Sequence, residues 1–257
     1  MGKIIAIYNQ KGGVGKTTTT VNLAAAIGAL GKKVLVVDID PQGNTTSGLG
    51  VNKKEISHST YEILLGTCKA EDAIIPLPFK NLSILPADAQ LTGIEIELVS
   101  VPRRENRLKA ALVNLRSEYD FIFIDCPPSL GILALNTLCA ADTVIVPIQC
   151  EYYALEGLSQ LMTTLRKVQR NFNPTLDLEG VLLTMYDVRL KLTQQVAEEV
   201  HKYFPKRVFK SIIPRVVRLS EAPSFGKPII YYDKNSHGTM AYVNLAKELI
   251  QKQKKGG

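Results

Sequence analysis

The feature that most constrains this chain is a glycine-rich segment at residues 11–18, Lys-Gly-Gly-Val-Gly-Lys-Thr-Thr. The apolar run before it predicts a strand over residues 3–8, and the periodic run after it predicts a helix over residues 17–30. A glycine turn between a strand and a helix directs backbone N–H groups into one concavity, to which the helix N-terminus adds its dipole. The segment therefore predicts a polyphosphate seat, with Lys16 on the β- and γ-phosphates and the Thr17 hydroxyl on Mg²⁺.

The segment departs from the common phosphate loop in one informative way. The common pattern has glycine five residues before the Gly15-Lys16 pair, where this chain has Gln10, and a second lysine, Lys11, stands at the mouth of the loop. Because Lys16 already serves the bound phosphates, Lys11 is free to reach a phosphate held by a second subunit. The alternative is a solvated lysine beside a glycine turn, and the strand–loop–helix context favours the first interpretation.

Apolar runs that predict strands alternate with segments of helical periodicity along the chain. The predicted strands cover residues 3–8, 34–38, 82–86, 121–125, 143–148, 180–185 and 208–213, and the predicted helices cover residues 17–30, 108–115, 155–172, 196–204 and 241–250. This alternation predicts an α/β fold of the P-loop NTPase type: a doubly wound, mostly parallel sheet with helices on both faces. We expect a single domain over residues 1–257, in which residues 250–257 form a frayed polar tail.

Two predicted strands end in aspartate at the sheet edge that carries the glycine-rich segment. Asp125 closes the run Phe-Ile-Phe-Ile, the Walker B pattern, and is predicted to hold Mg²⁺. Asp38 and Asp40 lie two residues apart, which predicts that they share one side of an extended segment. We interpret Asp40 as the acid that orients or deprotonates the attacking water, and Asp38 as a residue that orders the metal shell or Thr17. The alternative for these acids is that they cap a turn or a helix.

The charge of the chain is placed unevenly. The 31 Lys and Arg residues exceed the 24 Asp and Glu residues by seven, and the whole excess lies in residues 101–257. Between residues 189 and 227, nine basic residues stand against three acidic ones. This asymmetry indicates either a polyanionic partner or solubility alone, and composition does not decide between them.

Cysteine and histidine usage excludes several classes of protein. The four cysteines and three histidines lack the spacing of a metal site, so we expect reduced thiols and no zinc. No run approaches the ~20 apolar residues of a membrane span. A strand is predicted to begin directly after the N-terminus, so we expect no signal peptide and a cytoplasmic protein.

Five segments of the chain together resemble ParA-type chromosome-partitioning ATPases, the Soj branch of the deviant Walker A family. They are residues 11–18, 38–49 (DIDPQGNTTSGL), 125–130 (DCPPSL), 147–161 (PIQCEYYALEGLSQL) and 213–228 (IPRVVRLSEAPSFGKP). The resemblance covers nearly the whole chain. It implies an ATP hydrolase that uses ATP and Mg²⁺, turns over slowly, and acts in chromosome or plasmid partitioning with a ParB-type partner that stimulates it.

The resemblance also implies roles by position. In a homodimer that sandwiches ATP, Lys11 crosses to the partner's phosphates, and Gly12 lies where the two subunits approach most closely. Asp40 matches the water-activating acid of the family. The remaining nucleotide contacts fall on Gly13, Val14, Gly15, Lys16, Thr17, Thr18, Asp38, Met185 and Pro214, of which the last two match positions beside adenine.

Partners beyond the nucleotide follow from the same resemblance. Arg189 and Arg218 match basic positions used for non-specific double-stranded DNA binding, and Arg215 lies close to Arg218 in sequence. This favours the polyanion interpretation of the basic stretch and implies association with the nucleoid. We interpret residues 151–153, Glu-Tyr-Tyr, as a loop that packs at the dimer face without a catalytic role.

Two alternatives share the same loop. A MinD-like membrane-cycling ATPase would end in a basic helix with an apolar face, whereas the residues after Ile250 are only glutamine, lysine and glycine. No membrane partner is therefore expected. A reductase like the nitrogenase iron protein would need two cysteines per subunit placed to bridge a cluster, and Cys126 lies inside the Walker B segment.

Overall fold

Seven strands form one sheet in the computed structural model, which describes residues 1–151 and 153–256. The strands are β1 (Lys3–Ile7), β2 (Val34–Asp38), β3 (Ile75–Pro76), β4 (Leu82–Leu85), β5 (Phe121–Asp125), β6 (Thr143–Gln149) and β7 (Asp177–Thr184). Their order is β3-β4-β2-β5-β1-β6-β7, and every neighbouring pair is parallel except β3 with β4. The predicted mostly parallel sheet is confirmed: β2, β4 and β3 lie on one side of β1 with β5 inserted next to it, and β6 and β7 lie on the other side.

Helices cover both faces of this sheet. They are α1 (Lys16–Ala29), α2 (Asn44–Gly48), α3 (Thr60–Leu65), α4 (Ile94–Glu97), α5 (Arg107–Leu112), α6 (Ile132–Ala140), α7 (Ala154–Asn171), α8 (Lys191–Tyr203), α9 (Val217–Glu221), α10 (Ile229–Tyr232) and α11 (His237–Gly256). One apolar cluster joins the sheet to α1, α10 and α11, and the other joins it to α3 and α5–α8. The central strands are buried along their whole length because each face is covered.

The prediction of a strand over residues 208–213 is wrong. Within it Val208 forms an isolated bridge with Val181, and a second isolated bridge, Tyr186 with Pro214, lies just beyond the segment. The reason lies in α11, where the Glu248 carboxylate accepts hydrogen bonds from the N–H groups of Lys210 (2.9 Å) and Ser211 (3.0 Å). The Glu248 side chain thus binds backbone N–H groups that would otherwise be available for pairing with a neighbouring strand.

The tail that the sequence predicts to fray, residues 250–257, is helical as far as the structure describes it. Helix α11 continues to Gly256. Glutamine and lysine are good helix formers, and the Lys252 ammonium lies 4.1 Å from the centre of the Phe209 ring. The short β3 strand is a further departure, because its two residues carry too little pattern to be recognised. Within residues 1–151 and 153–256, no helix has the length and apolar content to cross a bilayer.

Candidate active site

The glycine-rich segment forms a turn between β1 and α1 that only glycine accommodates easily. Gly13 and Gly15 have φ angles of 75° and 88°, in the left-handed region. The Thr184 hydroxyl, at the end of β7, donates a 2.8 Å hydrogen bond to the Val14 carbonyl and ties the turn to the sheet. No side chain caps the start of α1, and its first turn holds no acid. The helix N-terminus is therefore open to an anion.

Lys16 lies inside this turn. Its side chain is buried, and its Nζ donates a 3.1 Å hydrogen bond to the Lys11 carbonyl. Burial is the largest influence on its pKa, which is lowered from the usual value, while the nearby Asp125 and Asp40 carboxylates act in the opposite direction. A phosphate at this place would satisfy a cation that the protein has partly withdrawn from water.

Lys11 points elsewhere. Its side chain is 43% exposed, and its Nζ lies 2.8 Å from Oε2 of Glu151. The loop beneath it is fixed by Asn9, whose side chain accepts a hydrogen bond from the Lys11 N–H (3.0 Å) and donates one to the Pro147 carbonyl (2.8 Å). Sequence reasoning missed the hydrogen bond from Asn9 to Pro147 and the pairing of Lys11 with Glu151, because each joins residues that lie far apart along the chain.

Asp125 gathers three hydroxyl groups. Its Oδ2 accepts hydrogen bonds from Thr17 (2.8 Å) and Thr45 (2.7 Å), and its Oδ1 accepts one from Thr20 (3.2 Å). Burial raises the pKa of Asp125 to about 6, although the Thr45 and Thr17 hydroxyls lower it. A hydroxyl and a carboxylate oxygen side by side form the hard donor set that Mg²⁺ prefers. Thr45 and Thr20 were missed because nothing in the local sequence reports that they contact Asp125, which lies far along the chain.

Asp38 and Asp40, which the sequence predicts on one side of an extended segment, have different surroundings. The strand β2 ends at Asp38, and Asp40 lies in the loop that follows it. Asp38 is fully buried and accepts hydrogen bonds from the Thr46 N–H (2.8 Å) and hydroxyl (2.7 Å). Asp40 is partly exposed and accepts one from the Gln42 N–H (2.9 Å).

The interpretation that Asp38 orders Thr17 is not supported by this geometry. The Thr17 hydroxyl bonds to Asp125, whereas Asp38 anchors the start of α2 through Thr46 and accepts a 3.1 Å hydrogen bond from the Asp40 N–H. Burial and the adjoining Asp125 carboxylate raise the pKa of Asp38 to about 7. Asp38 therefore supports the loop that carries Asp40.

Met185 and Pro214 lie together in one cleft beside the start of α1. The cleft has a volume of about 220 Å³ and is also lined by Gly15, Thr18 and Tyr242. The chain reverses there through Met185, whose φ angle is 49°. The cleft thus adjoins the phosphate turn, and a cleft in this position can receive a nucleotide base.

Arg189, Arg215 and Arg218 form an exposed basic surface at the same edge of the sheet. The segments that carry them are joined by the hydrogen bond from the Arg215 N–H to the Tyr186 carbonyl (3.2 Å). The structure therefore brings the three predicted arginines near one another and places them beside the cleft, which Arg215 also lines.

Known proteins resemble this chain over its whole length. A family model described as an AAA domain matches residues 2–178. The sporulation initiation inhibitor protein Soj of Bacillus subtilis is 59% identical, over 97% of this chain and 98% of that protein. The chromosome partitioning protein ParA of Myxococcus xanthus is 54% identical, over 98% of this chain and 89% of that protein.

The chain belongs to the Soj/ParA family of chromosome-partitioning ATPases. A solved structure from Mycobacterium smegmatis, described as a cobyrinic acid a,c-diamide synthase with a bound ATP analog and magnesium, shares the fold. Its TM-score is 0.88 at 38% identity, with 100% of this chain and 98% of that chain covered. The Soj/ParA family and the P-loop fold predicted from the sequence are both confirmed.

Proposed function

We propose that this Soj/ParA-family chain is a nucleotide-controlled switch that dimerises around ATP, binds DNA as the dimer, and releases it after hydrolysis. The observation that carries the proposal is the divergence of its two loop lysines. Lys16 is buried in its own turn, whereas Lys11 stands exposed at the mouth. One lysine thus suits a phosphate of its own subunit, and the other suits a phosphate of a second copy.

The residues around Thr17 fit a Mg²⁺–ATP complex. Thr17 and Asp125 present a hydroxyl and a carboxylate oxygen 2.8 Å apart at the foot of the phosphate turn. When bound there, Mg²⁺ neutralises charge on the β- and γ-phosphates. We propose that Lys16 and the N–H groups of the turn hold the phosphates, while Met185 and Pro214 contact adenine.

Asp40 is the residue we propose for orienting the attacking water. It follows the strand that ends beside Asp125, and the buried Asp38 holds its loop in place through the Asp40 N–H. A carboxylate on a loop at this edge is available to a water at the terminal phosphate. We propose slow intrinsic turnover, stimulated by a ParB-type protein whose basic segment completes the site.

Dimer formation would exchange the partners of Lys11. In the single chain its Nζ pairs with Glu151 across an exposed surface, and such pairs contribute little stability. A γ-phosphate carries more charge than one carboxylate, so Lys11 is expected to leave Glu151 for the second subunit's ATP. ADP lacks that phosphate, which would link dimerisation to the nucleotide state.

DNA binding is assigned in this proposal to Arg189, Arg215 and Arg218. A dimer presents the basic surface twice, and each neutralised phosphate adds roughly 0.9 to the salt dependence of binding. Doubling the contacts therefore strengthens binding steeply, and we propose that the protein acts in the cytoplasm, on the nucleoid.

The alternatives are less well supported by specific observations. In a MinD-like protein the last helix would offer an apolar face to the membrane, but Tyr242, Leu245 and Leu249 of α11 are buried in the core. In an iron-protein-like reductase two thiols per subunit would face the partner, but Cys126, Cys139 and Cys150 are buried. Relatives in partitioning reach 59% identity, against 38% for the neighbour named as a synthase.

Size-exclusion chromatography with light scattering tests the proposal. The wild-type chain is run with ADP, ATP and a slowly hydrolysed analogue, with and without mixed-sequence DNA. We expect a monomer with ADP and a DNA-binding dimer with the analogue. Lys11→Ala should bind ATP yet stay monomeric, whereas Lys32→Ala, at the opposite edge of the sheet, should behave as wild type. A single mass with every nucleotide would refute the switch.

A further inference from the structure

Two of the three arginines of the basic surface, Arg189 and Arg218, are bound by the chain's own acids. Arg189 makes a two-point pair with Asp187, in which Nε lies 2.9 Å from Oδ1 and Nη2 lies 2.6 Å from Oδ2. Arg218 Nη1 lies 2.9 Å from Oε2 of Glu221. In both cases the groups that would bind a DNA phosphate already bind a carboxylate.

The pairing is geometrically well formed although the surface is exposed. The Arg189 side chain is 84% exposed, whereas the Asp187 side chain is only 16% exposed. Asp187 is held in place by its local turn, since its Oδ1 also accepts a hydrogen bond from the Arg189 N–H (3.0 Å). Asp187 is therefore the anchored member of the pair, and Arg189 is the member that reaches solvent.

We propose that Asp187 and Glu221 compete with DNA phosphates for Arg189 and Arg218, and so set how weakly and how reversibly the dimer holds DNA. The inference rests on the proposed DNA-binding function and deepens it. The guanidinium fork fits a carboxylate and a phosphate in the same two-point manner, so DNA must replace one anion by another. Such exchange gives less affinity than a free arginine would.

The competition also affects the salt dependence of binding. Each phosphate that an arginine neutralises releases counterions from the DNA. A carboxylate that loses its arginine takes up a cation from solution, which offsets part of that release. Removing the acid should therefore strengthen binding and steepen the dependence of affinity on salt, by up to roughly one unit of slope for each arginine.

The size of the effect follows from what exposed ion pairs contribute. Such pairs are weak, and removing the competitor should raise affinity roughly 1.5- to 5-fold per subunit. Because a dimer places two such surfaces on one DNA, the expected gain for the dimer is roughly 2- to 25-fold. Gains of this size are measurable by fluorescence anisotropy.

Asp187→Asn is the decisive variant. Asparagine keeps the oxygen that accepts the Arg189 N–H, so the turn is retained while the charge is lost. Glu118→Gln is the matched control, because Glu118 is exposed at the opposite edge of the sheet and its loss changes the net charge equally. The affinity of each analogue-bound dimer for mixed-sequence double-stranded DNA is measured over a salt titration.

We expect Asp187→Asn to bind more tightly than wild type and with a steeper salt slope, and Glu118→Gln to match wild type. Equal affinities for the two variants would overturn the competition. The gain should also vanish in an Arg189→Ala background, and its persistence there would mean that Asp187 acts by general repulsion and not through Arg189. If the wild-type dimer fails to bind DNA, the proposed function itself fails, a result distinct from both.

Discussion

Gly12 is the position where a side chain should be tolerated in the single subunit but not in the proposed dimer. A Cβ built on Gly12 meets no atom within 4 Å, and the residue is not among those with positive φ. Gly12→Val should therefore leave the single chain intact. Its free energy of unfolding should change by at most about 1 kcal/mol, because a non-glycine residue also restricts the unfolded chain.

The neighbouring Gly13 provides the contrast. A Cβ there also meets no atom within 4 Å, but the φ angle is 75°. A left-handed conformation costs a residue with a Cβ about 1–2 kcal/mol, so Gly13→Ala should destabilise the single chain. For a chain of this size the expected loss in Tm is about 2–8 °C, against about 2–4 °C or less, in either direction, for Gly12→Val.

For dimer formation we expect the opposite order, with Gly12→Val more damaging than Gly13→Ala. Overpacking at a tight contact costs about 1–3 kcal/mol per site, and a two-fold dimer meets Gly12→Val twice, so association should weaken by roughly 30-fold or more. Thermal melts without nucleotide and light scattering with a slowly hydrolysed ATP analogue measure the two effects separately. If Gly12→Val still forms the dimer, the subunits do not meet at this glycine; if it melts as low as Gly13→Ala, the space around it is not open.

Three further predictions concern the charged groups of the site. Lys16→Ala should lose ATP binding in calorimetry, because the turn's only buried cation among the described residues is removed, and wild-type affinity would contradict the assignment. Asp40→Ala should bind ATP and accumulate as the dimer with turnover reduced at least about 100-fold, measured by phosphate release; wild-type turnover would exclude Asp40. Because burial raises the folded-state pKa of Asp38 and Asp125 above the unfolded value of 3.8, the stability they contribute is complete below pH 4 and is lost as the pH rises toward 7. Asp38→Asn should therefore flatten this fall in nucleotide-free denaturant melts, and an unchanged pH profile would show that Asp38 does not take up a proton on folding.

The parts of the fold that sequence predicts are those with strong local patterns. The prediction gives β2 and β5 their correct bounds, because a strand covered on both faces is a continuous apolar run, which in each case ends at an aspartate. Residues 208–213 are apolar except at Lys210 and Ser211, and they are not a strand. Their backbone is captured by Glu248, which lies nearly forty residues further along the chain, and no local pattern reports such a contact.

In the candidate site, too, some features follow from local sequence and others from the tertiary structure alone. The sequence by itself determined the phosphate turn, because its glycines, Lys16 and Thr17 are adjacent and their chemistry depends on spacing alone. Only the tertiary structure decided that Asp125 gathers Thr17, Thr20 and Thr45, and that the exposed Lys11 is paired with Glu151. The physical reason is that a hydrogen bond or an ion pair depends on distance in space, and the packing of helices on a sheet brings together side chains that the sequence keeps far apart.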